Sequence, residues 1–323
     1  MTTPVLVLKH AVVRYNRLTA VDGVSLELRG GETLGLVGES GCGKSSVARA
    51  IAGLQPLASG TLSVGGEVLV ESTAARRREL QRRIQLLFQD PVASLSPRLT
   101  VSALLAEPLK IRRVHSPESW GRILELAEGL GLGQQLLSRY PHQLSGGQAR
   151  RVALVRALAA APSIIVADEP TAGLDISVQG ELLNLLRSLR NRLGLSYLLI
   201  SHNLNVVGRV TDRVAVMYLG QIVESGLTAA LFRAPAHPYT QALLSANLTL
   251  DGSSRRERIV LSGELPSPSN PPSGCRFHKR CPLAQPLCSN EAPELKPGAA
   301  GRVVACHFPL AEAAAIIPQA ITG

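Results

Sequence analysis

The chain has 323 residues, 45% hydrophobic and 18% charged, enough to bury a full core beside a small second unit and too apolar for a disordered chain. Its formal charge of +10 favours an anionic partner (a nucleotide, a nucleic acid or a membrane surface), although Arg76-Arg77-Arg78 and Arg82-Arg83 read equally well as a solvated basic face. No run approaches about 18 uninterrupted apolar residues and the apolar start at 5–8 is too short for a secretory leader, so a cytosolic chain without its own membrane span is expected.

Residues 5–14 and 24–29 alternate apolar and polar side chains, as strands of an antiparallel sheet do. Residues 33–37 form a short apolar strand that runs into Gly38-Glu39-Ser40-Gly41-Cys42-Gly43-Lys44-Ser45. This octapeptide has the G-x-x-x-x-G-K-S spacing of a phosphate-binding loop, and a helix is expected behind it over 44–54. Glycines let backbone N–H groups turn toward phosphates, and the helix N-terminus adds a field that favours anions. Lys44 can reach the β- and γ-phosphates, and the Ser45 hydroxyl suits Mg²⁺. Ser46 continues the same turn, and Cys42 reads as a small side chain filling a loop position.

Residues 84–88 form another short strand, and 97–140 turn helical. A helix is expected over 148–160 and a buried strand over 164–167. Leu182, Leu185, Leu186 and Leu189 make one stripe of an amphipathic helix over 178–193, followed by a strand over 197–200. Strand–helix alternation predicts a parallel sheet covered by helices, interrupted by the helical stretch. The 164–167 strand would deliver Asp168 to the sheet edge beside the phosphate loop, where it can hold the Mg²⁺ shell, with Glu169 poised to polarise a water.

A Pro/Ser/Gly-rich linker occupies 262–274 and leads to Cys275, Cys281, Cys288 and Cys306. Four clustered thiols in a reducing compartment suggest a metal more than disulfides. Their spacing is not the paired C-x2-C pattern of most zinc sites; a [4Fe–4S] cluster, zinc and free thiols all stay open.

The loop at 38–45, the peptide Leu144-Ser145-Gly146-Gly147-Gln148, Asp168-Glu169 and His202 follow one another in an order that resembles the ATP-binding-cassette (ABC) ATPases over roughly residues 5–250. The resemblance implies an α/β fold: an ABC-type P-loop ATPase with a RecA-like core, an antiparallel β subdomain and an inserted helical subdomain, plus a small Cys-rich C-terminal extension. The nucleotide-binding domain would span 1–250, with the helical subdomain at about 97–150, and the linker and four-cysteine extension 251–323. ATP and Mg²⁺ are the implied cofactors.

Matched positions imply roles. Tyr15 stacks on adenine, and Gly38, Glu39, Ser40, Gly41, Cys42, Gly43, Lys44, Ser45 and Ser46 cradle the phosphates. Gln89 senses Mg²⁺ and the transport partner, joining Ser45 and Asp168 around the metal. Glu169 is the base, with Lys44 and His202 acting on the γ-phosphate. Ser145, Gly146, Gly147 and Gln148 face the ATP of an opposing subunit, as does Asp175 in the loop Ala172-Gly173-Leu174-Asp175. Two positions depart from the pattern: Ala149 stands where a longer polar residue is usual, and Ala172-Gly173 where Ser-Ala is more common.

The stretches 88–98, 142–148, 175–179 and 237–244, with the tail at 271–282, resemble the ATPases of the peptide/nickel class of importers. That implies an ATP-hydrolysing subunit energising import of peptides or related solutes (di- or oligopeptides, a nickel chelate, glutathione or an opine) across the bacterial cytoplasmic membrane. The implied partners are a second ABC ATPase, identical or homologous, two membrane permease subunits and an external solute-binding protein, without nucleic acid. The chain would sit peripherally at the cytoplasmic face of the inner membrane. Some relatives with such a tail carry a [4Fe–4S] cluster, so the resemblance favours that group on Cys275, Cys281, Cys288 and Cys306. Two alternatives remain: a soluble ABC-type ATPase acting on nucleic acid or ribosomes, supported by net charge alone, and a carbon–phosphorus lyase accessory subunit, whose relatives typically lack the cysteine tail.

Overall fold

The computed structural model describes residues 3–69, 73–88, 90, 93–246, 259–261, 263–264, 266–298 and 301–310. Two sheets organise them. The smaller has strand order β2-β1-β4-β5, from β1 (Pro4–Tyr15), β2 (Leu18–Arg29), β4 (Ser59–Val64) and β5 (Glu67–Val68), all antiparallel. Alternation in β2 buries Val24, Leu26 and Leu28 and exposes the residues between them, as the sequence pattern predicts.

The larger sheet is built on β3 (Thr33–Val37), β6 (Ile84–Leu87), β7 (Ile164–Asp168), β8 (Ser196–Ile200) and β9 (Arg213–Tyr218), parallel in the order β9-β3-β8-β7-β6. Every residue of β3 and β8 is buried, the signature of parallel strands covered on both faces. Helix α1 (Lys44–Ile51) follows the phosphate loop directly, and α2 (Ala74–Arg83) precedes β6. In α2 the basic run is partly spent on ion pairs: Arg83 meets Glu79 at 3.1 Å and Glu67 at 3.0 Å.

Helices α3 (Val101–Arg112), α4 (Pro117–Gly129) and α5 (Gly146–Ala159) pack around their own apolar cluster, which includes Leu104, Leu105, Ile123, Val152 and Val155. The predicted helical stretch breaks at Arg113, whose φ of 56° ends α3, and restarts at a capping box in which Ser116 and Ser119 satisfy each other's backbone N–H groups. The amphipathic helix α6 (Ile176–Leu193) buries Leu186 and Leu189, packs Leu182 and Leu185 against the same cluster, and stops at Gly194. Short helices α7 (Leu204–Val210), α8 (Thr228–Arg233) and α9 (Pro238–Ser245) finish the layer.

Beyond residue 203 the fold holds elements that the sequence pattern does not predict. After β9 the chain turns back as β10 (Gln221–Leu227), antiparallel to β9. The cysteine-bearing segment, with α10 (Pro286–Asn290), returns to add β12 (Val303–Val304) against β10, and β11 (Lys296–Pro297) closes that edge. Its Phe277 packs against the Tyr218–Tyr239 pair, whose own centroids are 4.6 Å apart, with ring centroids 5.3 and 5.4 Å away. The fully buried Glu224 accepts from the backbone N–H groups of Ala236 and His237 at 2.8 and 2.9 Å, with Arg302 of the extension 3.8 Å away. The extension is thus stitched onto the core by a strand, an aromatic cluster and a buried charge.

Candidate functional site

Strand register puts the candidate residues on one edge. Leu36 of β3 lies level with Ile200 of β8, and Ile200 lies level with Asp168 of β7. Two residues past that row come Gly38 and His202, one past it Glu169. All therefore emerge at the carboxyl ends of adjacent parallel strands, where open α/β sheets bind ligands.

The loop itself needs glycine at defined points. Gly38 has φ of 155° and Gly43 has φ of 108°. A Cβ on Gly38 would collide with the Met217 carbonyl oxygen, and one on Gly43 with that of Ala20. Lys44 is buried, and its Nζ donates to the Gly38 and Glu39 carbonyl oxygens at 2.8 Å each. That ammonium lies inside the loop, where a polyphosphate can compete for it. Cys42 is buried in the core, and burial pushes its thiol up, with the Lys44 charge opposing. Ser45 and Ser46 open α1, with Ser45 exposed.

Asp168 has the surroundings of a cation ligand. Its Oδ1 is buried and finds no hydrogen-bond partner, and burial raises the carboxyl above its usual range, while the Ser45 side chain hydrogen-bonds to it. A carboxylate with an orphaned oxygen beside a hydroxyl on the phosphate-loop helix fits Mg²⁺, a hard ion with oxygen ligands. Glu169 next to it adopts φ of 48°, left-handed for a non-glycine residue, and its backbone N–H donates to Ile200 O at 2.9 Å. This turn directs the carboxylate to His202, whose Nδ1 lies 2.9 Å from Glu169 Oε1.

The peptide Leu144-Ser145-Gly146-Gly147-Gln148 leads into α5. Ser145 is its N-cap, accepting from Gln148 N at 3.2 Å, while Gln148 Oε1 accepts from Ser145 N at 3.0 Å. Ser145, Gly146 and Gly147 are exposed, so this helix end presents backbone N–H groups outward, a geometry suited to an anion from outside the chain. Ala149 is buried in the helical cluster, which explains the small residue there. Asp175 caps α6 without a side-chain hydrogen bond and is exposed. Tyr15, at the end of β1, is half-buried against the main core with its hydroxyl unpartnered. Gln89 lies outside the described residues.

Cys275, Cys281, Cys288 and Cys306 line one small cavity walled by Phe277, Leu283 and Phe308. The Cys275 N–H donates to the Cys288 carbonyl at 2.8 Å. Burial raises the thiols of Cys275 and Cys281 and pushes that of Cys306 up to about 11. Among the described residues, no group of three or more His, Cys, Asp or Glu is arranged to hold a metal ion. The four thiols line one apolar cavity, the donor type that thiolate-ligated groups use. Sequence reasoning missed two residues that touch the phosphate loop from the far end of the chain: Tyr239, whose hydroxyl accepts from Glu39 N at 2.9 Å, and Arg280, whose guanidinium pairs with the Glu39 carboxylate at 2.7 and 3.1 Å. No local signal marks a pairing across 241 positions.

Comparison with known proteins supplies the class. A family model for ABC transporters matches residues 21–172, and one for the C-terminal region of oligopeptide/dipeptide transporters matches 223–288. The oligopeptide transport ATP-binding protein AppF of Bacillus subtilis is 47% identical over 293 residues, 90% of this chain and 89% of that protein. The dipeptide transport ATP-binding protein DppF of Haemophilus influenzae is 44% identical over 299 residues, 92% of this chain and 91% of that one. Among solved structures, cbiO1 of Clostridium perfringens aligns with a TM-score of 0.64 at 25% identity, covering 71% of this chain and 90% of that one. The dimeric structure of a bacterial ABC transporter cassette aligns at 0.62 and 28%, covering 69% and 98%. Fold and loop together define an ABC-type ATPase, an enzyme that hydrolyses ATP. The first match ends at 172, before α6, and the second runs from β10 into α10. The chain belongs to the family of ATP-binding subunits of oligopeptide and dipeptide ABC transporters.

Proposed function

We propose that this chain couples ATP hydrolysis to uptake of peptides through a membrane permease. The observation that carries the reading is similarity, along about nine-tenths of the chain, to subunits that serve oligopeptide and dipeptide transport. Neither the nucleic-acid nor the carbon–phosphorus lyase alternative has comparable support.

The loop 38–46 holds the ATP phosphates, Lys44 neutralises the β- and γ-oxygens, and Tyr15 meets the adenine. Ser45, Asp168 and Gln89 would hold Mg²⁺, which would supply neutralisation of the phosphate charge. Glu169 takes the proton of the attacking water, and His202 orients Glu169 and meets the γ-phosphate. Ser145, Gly146, Gly147, Gln148 and Asp175 serve the ATP of a second ATPase subunit facing this one, so that two nucleotides join two cassettes. The four-stranded sheet and the helices α3 to α5 act as the β and helical subdomains of this cassette.

Among the described residues no helix is long and apolar enough to cross a membrane, so the permease subunits must be met at a surface. A cavity of about 480 Å³ between the parallel sheet and the helical insert offers one, lined by Leu54, Phe88 and Ile111 together with Arg78, Arg82 and Arg112. An external binding protein would deliver the peptide. Cys275, Cys281, Cys288 and Cys306 would hold a [4Fe–4S] cluster, which would staple the extension; four thiols around one cavity support this.

The test is transport. Reconstituted in sealed vesicles with its permease subunits and binding protein, the chain should drive uptake of labelled di- to pentapeptides with ATP. Equal uptake with ADP, or with the Glu169→Gln variant, overturns the reading.

A further inference from the structure

Glu39 is the single acidic side chain in the phosphate loop. A free carboxylate there would oppose a polyphosphate. The fold answers with a residue from the cysteine-bearing extension. The Arg280 guanidinium reaches both Glu39 oxygens, at 2.7 and 3.1 Å, in the two-pronged geometry that fixes a carboxylate's direction as well as its charge. The Arg280 side chain is only 10% exposed and Glu39 27%, so neither is a loosely solvated surface partner. Burial also discourages their separation, because an unpaired guanidinium would be left in the interior.

The surroundings hold Arg280 in that pose. Its guanidinium carbon lies 6.0 Å from the centroid of Tyr218. The Tyr218 ring packs on Tyr239 and on Phe277, which sits three residues before Arg280. Tyr239 in turn accepts from the Glu39 N–H, so backbone and side chain of one loop residue are gripped together. Arg276, on the same segment, spans to the Asp22 carboxylate and the Leu219 carbonyl, and the Gly220 N–H donates to Cys42 O at 2.9 Å. The extension is therefore fastened at two points around the loop.

We propose that Arg280 is a positioning residue for nucleotide binding: it cancels the Glu39 charge and turns that carboxylate away from the phosphates, so that the cysteine-bearing extension sets the affinity for ATP. The inference rests on the reading of 38–46 as the ATP site. It assigns the extension a part in the nucleotide site apart from any group its thiols hold.

A double-mutant cycle on the full chain tests it, with MgATP and MgADP titrations and steady-state hydrolysis as readouts. Arg280→Ala should weaken MgATP binding about tenfold, the order expected of one uncompensated charge near polyphosphate. The loss should appear in KM more than in kcat, and should be smaller for MgADP. Glu39→Gln should bind MgATP about two- to threefold tighter, because Arg280 then faces the phosphates unopposed. In the Glu39→Gln background, Arg280→Ala should cost less than about threefold, and Arg280→Lys should restore part of the loss in the wild-type background. If Arg280→Ala is insoluble, Arg280→Gln carries the same cycle. An equal loss in both backgrounds makes Arg280 a mere anchor for the extension and overturns the inference. A wild-type chain that binds no MgATP overturns both the inference and the site reading beneath it.

Discussion

Glu169 and His202 meet across two neighbouring strands, with Nδ1 2.9 Å from Oε1. The carboxylate is 20% exposed and the imidazole 63%, so the acid is fixed while the ring reaches outward. Glu169 is also one of the few non-glycine residues at positive φ, where a carboxylate is held against its backbone preference. Glu169→Gln keeps the shape and removes the base. ATP turnover should fall by about a thousandfold while MgATP still binds. Phosphate release and nucleotide titration on one preparation check this, and undiminished hydrolysis would move the base elsewhere.

Ser145 serves its own helix and, in the proposed function, a second subunit's ATP; two substitutions separate the roles. Ser145→Ala removes the cap at Gln148 N and should cost about 1 kcal/mol, a fall in Tm of about 2–4 °C. Ser145→Asp keeps an acceptor at the N-cap, in a field that favours negative charge, so Tm should hold. The same carboxylate would face the partner's γ-phosphate. Gel filtration with MgATP in a Glu169→Gln background should show ATP-driven dimers for Ser145 and none for Ser145→Asp. Dimers formed equally well by both would remove the peptide 144–148 from the interface.

Much of the site was legible because its chemistry is local. The octapeptide at 38–45 carries its own spacing, and Asp168 closes a strand of four apolar residues that can only be buried. The amphipathic α6 was equally plain, since Leu182, Leu185, Leu186 and Leu189 fall on one stripe. The region after residue 203 was not legible. Strand β9 is a nearly continuous apolar run, β10 interrupts its apolar residues with Glu224 and Ser225 out of alternation, and β12 is two residues long, defined by its pairing to β10 and β11. Glu39, Tyr239 and Arg280 meet where Phe277 packs beside the Tyr218–Tyr239 pair; each is ordinary in its own stretch of sequence.

The four cysteines give a spectroscopic prediction. Purified without oxygen, the chain should show broad absorption at about 400 nm, with iron and sulfide each near about four per chain. Cys288→Ser should bleach that absorption, since it removes one of the four thiols that line the cavity. One zinc per chain without colour, or four thiols that react freely in the native protein, would each replace the cluster with a different occupant.

His237 ties acid sensitivity to the seam between core and extension. The ring is 1% exposed, its Nδ1 accepts from the Tyr239 N–H at 3.0 Å as the cap of α9, and it packs beside Phe277. Burial lowers its pKa from 6.5 to about 3, and a hydrogen bond to the Ala305 backbone only partly opposes this. Between those values the unfolded chain binds a proton that the folded chain refuses. Stability should therefore be full above pH 6.5 and fall progressively toward pH 3, because protonation favours the unfolded state. At pH 5 this one group should cost about 2 kcal/mol relative to pH 7.5. His237→Asn keeps an N-cap acceptor and removes the titration. Urea unfolding at the two pH values should show the variant losing about 2 kcal/mol less than wild type on acidification. Identical losses would mean that the His237 ring already carries its proton in the folded chain.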